Sequence, residues 1–172
     1  MLDLDVLTQA RELLAQCANA SVWSLPDSDL QQVLATAHAA RELATSVTAH
    51  AVTEIDGRGL PKTQGATSTA SWLRGTLHID IRQARGLIEI AADLHRRPVL
   101  DKTLSTGVIN TGQARAIGDV LRDLPDHVGA DVRDAAEAKL LEFGPDVEAS
   151  RAAALRCADP GQCGAGVGGQ GR

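Results

Sequence analysis

The sequence has little aromatic character. Aromatic residues are 2% of its 172 positions, namely Trp23, Trp72 and Phe143, with no tyrosine at all. Cysteine is nearly as scarce, at three residues, Cys17, Cys157 and Cys163. That number is odd, and no His or Cys follows the last two to complete a ligand set, so a disulfide- or zinc-stapled miniprotein is excluded. Cys17 falls on an apolar helical stripe and reads as a small buried hydrophobe in a reducing compartment. Lysine is rare, 3 against 14 arginines. No uncharged apolar run approaches the roughly 18 residues of a membrane span. The start, Met1-Leu-Asp-Leu-Asp, lacks the basic region and apolar run of a signal peptide. A cytoplasmic protein that does not enter the membrane is expected.

Excess positive charge is also missing. The formal charge is −5 and the pI about 5.5, which excludes a uniformly basic nucleic-acid coat but not a local basic patch. What the chain has in abundance is alanine, 28 residues, and leucine, 21. Alanine is the best helix former and packs poorly in sheets. An all-α fold follows, a multi-helix bundle of about seven or eight helices.

Apolar spacing places those helices. Leu7, Ala10, Leu14 and Cys17 mark a helix near residues 3 to 19. Pro26-Asp27-Ser28-Asp29 opens a long helix over about 28–56, with acids at the positive end of its dipole. Leu30, Val33, Ala37, Ala40, Ala44, Val47 and Ala51 recur on it at alternating three- and four-residue steps, a narrow seam of coiled-coil type expected to pack internally. Residues 57 to 66, rich in Gly and Pro, read as a loop. A short helix starts at Thr67 or Ser68, runs through Trp72 and Leu73, and is broken at Gly75. Asp80 with Gln83 forms a capping box for the next helix, whose inner face is Ile81, Ala84, Leu87 or Ile88, Ala91 and Leu94. Pro98 opens a brief helix ended by Gly107. Asn110 with Gln113 is a second capping box, and its helix buries Ala114, Ile117 and Leu121. Val128, Val132, Ala135, Leu140 and Phe143 mark another helix, and a last one spans about 146–156. Together, residues 1–156 read as one helical domain. In the last twelve residues six are glycine, so 157–172 is expected to be a disordered tail.

Catalytic signatures are lacking. There is no G-x-S-x-G elbow, no phosphate-binding G-x-x-x-x-G-K-[ST] loop and no H-E-x-x-H pair. His38 and His50 share a helix but stand about 18 Å apart along it. His38, His50, His78, His95 and His127 all read as surface or partly buried residues. Asp131, Asp134, Glu137 and Glu142 read as a solvated helix face, with a weak Arg133–Glu137 pair. No enzyme activity, cofactor, metal or small-molecule ligand is expected.

One constellation stands out. Thr67-Ser-Thr-Ala-Ser-Trp-Leu-Arg-Gly75 is a short helix, Thr76-Leu-His-Ile-Asp80 a tight connection, and the Ile81 helix follows. This order fits a helix-turn-helix pair over about 67–94. Its second helix offers Arg82, Gln83 and Arg85 near its N-terminus, side chains able to donate to base edges or phosphates, and Arg74 lies on the first. From Trp72 to Arg97 five arginines face three acids, a local excess of +2. Duplex DNA is therefore a candidate partner, bound weakly. The competing reading is a protein-interaction or dimerisation module built on the Ala-rich long helix, pairing with a second copy or with a nuclease part.

Four segments in order carry a family resemblance: Ser68-Thr-Ala-Ser-Trp-Leu-Arg74, Asp80-Ile-Arg-Gln-Ala84, Pro98 through Gly107, and Val108-Ile-Asn-Thr-Gly-Gln-Ala-Arg-Ala-Ile117. Over about residues 25–159 the chain resembles the bacterial 13E12 repeat family, which carries domain of unknown function number 222. The resemblance implies an N-terminal helical domain associated with HNH endonucleases. Fuller-length relatives continue through a linker into a nuclease with a ββα-metal site and a histidine base. No H-N-H motif or zinc-binding Cys pair exists here, so no nuclease residue can be carried over, and a chain truncated before the nuclease is expected. Leu94 through Leu121 is also loosely similar to the helices that follow the helix-turn-helix in ParB-type partition proteins.

Overall fold

A computed structural model describes residues 3–125 and 129–142. Among these residues the chain is all helical, with no strand. The elements in order are α1 (Leu4–Ala18), α2 (Asp27–Gly57), α3 (Leu60–Thr63), α4 (Thr69–Leu77), α5 (Ile81–Arg96), α6 (Pro98–Ser105), α7 (Thr111–Arg122) and α8 (Ala130–Glu142). The chain divides into two compact units, Met1–His38 and the remainder from Ala39, with the division inside α2. The expected helix at 146–156, the tail at 157–172, and His127, Val128 and Phe143 lie outside the described residues.

In the first unit, Asp3 caps α1 by accepting from the Asp5 amide at 2.9 Å. α1 buries none of its side chains, and Cys17, expected inside, is exposed.

The second unit holds the core. Ala49 and Val52 of α2, Leu73 of α4, Ile90 and Leu94 of α5, Leu100 and Leu104 of α6, Ile117 and Leu121 of α7, and Leu140 of α8 share one buried apolar cluster. Both capping boxes form as spelled by their sequences: Asp80 accepts from the Gln83 amide and Asn110 from the Gln113 amide, each glutamine answering its partner's backbone. Such reciprocal bonds satisfy the donors that a helix start leaves orphaned, which fixes where α5 and α7 begin.

Several expectations are corrected. The Ala seam of α2 is not its buried face: Ala37, Ala44 and Ala51 are exposed, and Glu42, Ser46, Ala49 and Val52 turn inward. The loop over 57–66 contains the one-turn α3, because Pro61 suits a first turn and no amide is lost there. Gly75 does not break α4. The helix runs on to Leu77 and ends at His78, which takes a left-handed φ of 55°. On α8 the inward positions are Ala136 and Leu140, and Ala135 is exposed.

Glu137 is buried rather than solvated, and accepts from the Leu100 amide in the first turn of α6 at 3.1 Å. Glu42 does the same for α7. Two helix starts are thus closed by carboxylates from remote helices.

The α5–α7 contact rests on Asp93. Only 1% exposed, it takes Arg97 Nη1 at 2.8 Å and is also bonded by Arg122. A methyl built on Gly118 would meet Asp93 Oδ2 at 2.5 Å. The glycine inside α7 is therefore the space that the buried carboxylate occupies.

Candidate nucleic-acid interface

The α4–α5 pair is built from local signals. Ser68 caps α4, accepting from the Ser71 amide at 3.1 Å. Leu73 faces the core, Trp72 packs beside it, and the Trp72 indole donates to Gln64 Oε1 at 2.8 Å. Thr69 Oγ1 bonds Asp56, tying the start of α4 to the end of α2. His78, Ile79 and Asp80 make a three-residue turn, with Ile79 packed on the core. That is the connection length of a helix-turn-helix. The left-handed residue that reverses the chain is His78, not a glycine.

All four candidate contact residues, Arg74, Arg82, Gln83 and Arg85, are exposed. Arg82 and Arg85 stand three residues apart and share one face of α5. Arg74 belongs to the last turn of α4. Gln83 has a structural task, since its Oε1 accepts from the Asp80 amide at 3.2 Å. The amides of Arg82 and Gln83 are both taken by Asp80 Oδ1 at 2.8 Å. The start of α5 therefore has no free first-turn amide at those positions to offer a phosphate, and any anion must be met by guanidinium groups.

A further guanidinium joins them. Arg115 of α7 lies across Gly86, with its Nη2 3.0 Å from where a Cβ on that glycine would sit. Gly86 is one turn on from Arg82 and adjacent to Arg85, so Arg115 of α7 lies beside the segment of α5 that carries them. None of Arg74, Arg82, Arg85 and Arg115 makes an ion pair among the described residues. Arg58, Arg97 and Arg122 do, with Glu54, Asp93 and Asp119 among their partners. Sequence reading missed Arg115 because it lies 29 positions beyond Gly86. The glycine was the only local hint.

The remaining titratable groups do not converge on a reaction. His50 Nε2 meets Asp101 Oδ1 at 2.6 Å beside an open depression shared with His95 and Glu54. Among the described residues no three His, Cys, Asp or Glu side chains are placed to hold a metal ion. Nor is any described helix long and apolar enough to cross a membrane.

The family described as a domain of unknown function (DUF222) matches residues 31–161. The chain belongs to that family. The match takes in all of α3 to α8 and most of α2, and therefore the whole α4–α5 pair. No curated protein matches it, and neither does any solved structure.

Proposed function

We propose that this DUF222 chain is a non-catalytic DNA-contacting domain, acting in the cytoplasm, of the 13E12 repeat type that accompanies HNH nucleases. It meets the duplex through the α4–α5 pair. The observation that carries this reading is the set of exposed arginines, 74, 82, 85 and 115, which make no ion pair among the described residues although the chain is acidic overall. Arg41, Arg58, Arg97 and Arg122 are by contrast matched to carboxylates. Leaving cations unmatched on one face has a use when the counter-charge comes from outside, as phosphate does.

The arrangement favours backbone contact over base reading. With Gln83 Oε1 committed to its cap, the surface offers mainly guanidinium donors, which suit phosphates and guanine edges. Four neutralised phosphates correspond to a log–log salt slope of roughly −3.6. The reading is tested by titrating a labelled duplex with the intact chain at several salt concentrations. Weak binding with a slope of that order is expected, and the Arg82→Ala, Arg85→Ala double variant should lose most of it while keeping its unfolding midpoint. Equal affinity in the double variant at matched low salt would remove this face from the account.

A further inference from the structure

Of the fourteen large apolar side chains that are exposed among the described residues, ten belong to the first unit, before Ala39. They include Leu4 at 72%, Trp23 at 87% and Leu34 at 73%. On α1 the apolar residues occupy roughly half the helix circumference, a wider arc than one neighbouring helix can cover. α1 and the start of α2 both carry the three-four spacing that selects another helix as partner, at Leu7-Ala10-Leu14-Cys17 and at Leu30-Val33-Ala37-Ala40. A 15-residue helix with nothing buried is marginal by itself in water.

We infer that α1 and the N-terminal part of α2 form a self-association surface and that its occupant is the same two segments of a second copy of this chain. Two such helix pairs related by a two-fold axis make a four-helix bundle, which covers two faces of each helix at once and so matches the width of the α1 arc. The ten exposed side chains offer apolar area on the order of the 800 Å² per partner that a stable interface buries. Charge does not obstruct it. Asp3 caps α1, Asp5 and Glu12 fall on the polar arc of α1, and Asp27 and Asp29 lie in the first turn of α2, so the acids sit off the apolar arc of α1 and at the end of the α2 stripe. The same acids, with Arg11 as the only Lys or Arg before Ala39, turn these two segments away from an anionic lipid surface. This proposal does not rest on DNA contact. It extends the interaction surface from the Ala seam of α2 to the leucine-bearing α1.

The test is sedimentation of the full chain across a roughly hundredfold concentration range, with Trp23 emission followed in a Trp72→Phe background. A monomer–dimer equilibrium is expected, with Trp23 emission moving to shorter wavelength as dimer forms. The Leu14→Glu, Leu34→Glu variant should be monomeric throughout, with Trp72 emission and core unfolding preserved in a Trp23→Phe background. A wild-type monomer at every concentration would overturn the proposal, whether or not Trp23 is shielded. So would a double variant that dimerises like wild type. If that variant fails to fold, wild-type sedimentation decides alone.

Discussion

The carboxylate of Glu42 closes a helix that starts 69 residues later: its Oε2 accepts from the Thr111 amide at 2.6 Å and from the Thr111 hydroxyl. Arg41 braces the other oxygen at 2.8 Å. The pair fastens α2 to α7 through a helix start, where a negative charge is stabilised by the dipole as well as by the donors.

A pH dependence follows. Burial pushes the Glu42 carboxyl up, but the two Thr111 bonds and Arg41 outweigh it and hold the group at about 2, against 4.5 when exposed. A depressed folded-state value means the stabilisation is present in full above pH 4.5 and is lost as pH falls towards 2. Its size is about 3 kcal/mol. Denaturant unfolding of Glu42→Ala should therefore show a large deficit at neutral pH that narrows through this acid window. A deficit independent of pH would mean the charge contributes nothing.

Glu137 has the opposite sign. Burial raises its carboxyl above the ordinary 4.5, and the Leu100 amide and the charge of Arg97 only partly offset that. A raised value means the stabilisation is complete below pH 4.5 and is lost as pH climbs through the folded-state value. Glu137→Gln keeps an oxygen for the Leu100 amide and removes the buried charge. It should be more stable than wild type at pH 8, by about 1 kcal/mol, and the gain should vanish near pH 4. A variant less stable at every pH would show that the ionised carboxylate stabilises this helix contact.

Gly118→Ala tests the α5–α7 approach. Helix propensity alone favours alanine by about 1 kcal/mol. The added methyl, however, would stand 2.5 Å from Asp93 Oδ2, and Asp93 is pinned by two arginines and cannot retreat. A net loss of about 2 kcal/mol or more is expected in thermal or denaturant unfolding. Stabilisation would mean that the Asp93 cluster yields easily.

What the sequence made legible was local. Asp80-Gln83 and Asn110-Gln113 announce helix starts because both partners lie within one turn, and the structure forms both boxes. Ala114, Ile117 and Leu121 were readable because α7 has one apolar face. The inward face of α2 was not, since its regular Ala spacing competes with a buried stripe holding Glu42 and Ser46, polar residues whose burial depends on remote neighbours. Glu137 looked like one more acid on a wet helix because its partner amide lies 37 residues away. Arg115 escaped notice for the same reason: three to four residues of spacing reveal a helix face, but not which second helix shares it.

Arg115 and Gln83 differ in what loss of the side chain should cost. If the guanidinium lying across Gly86 contacts phosphate, Arg115→Ala should flatten the salt slope of duplex binding by about 0.9 and leave sequence preference unchanged. Its stability should change little, since Arg115 is exposed and makes no ion pair among the described residues. Gln83→Ala should behave in reverse. It breaks the bond to the Asp80 amide, so the unfolding free energy should drop by about 0.5–1 kcal/mol while the salt slope stays fixed. A Gln83 variant that keeps its stability but loses affinity would restore Gln83 to the contact surface, and an Arg115 variant with an unaltered slope would shrink that surface to α4 and α5.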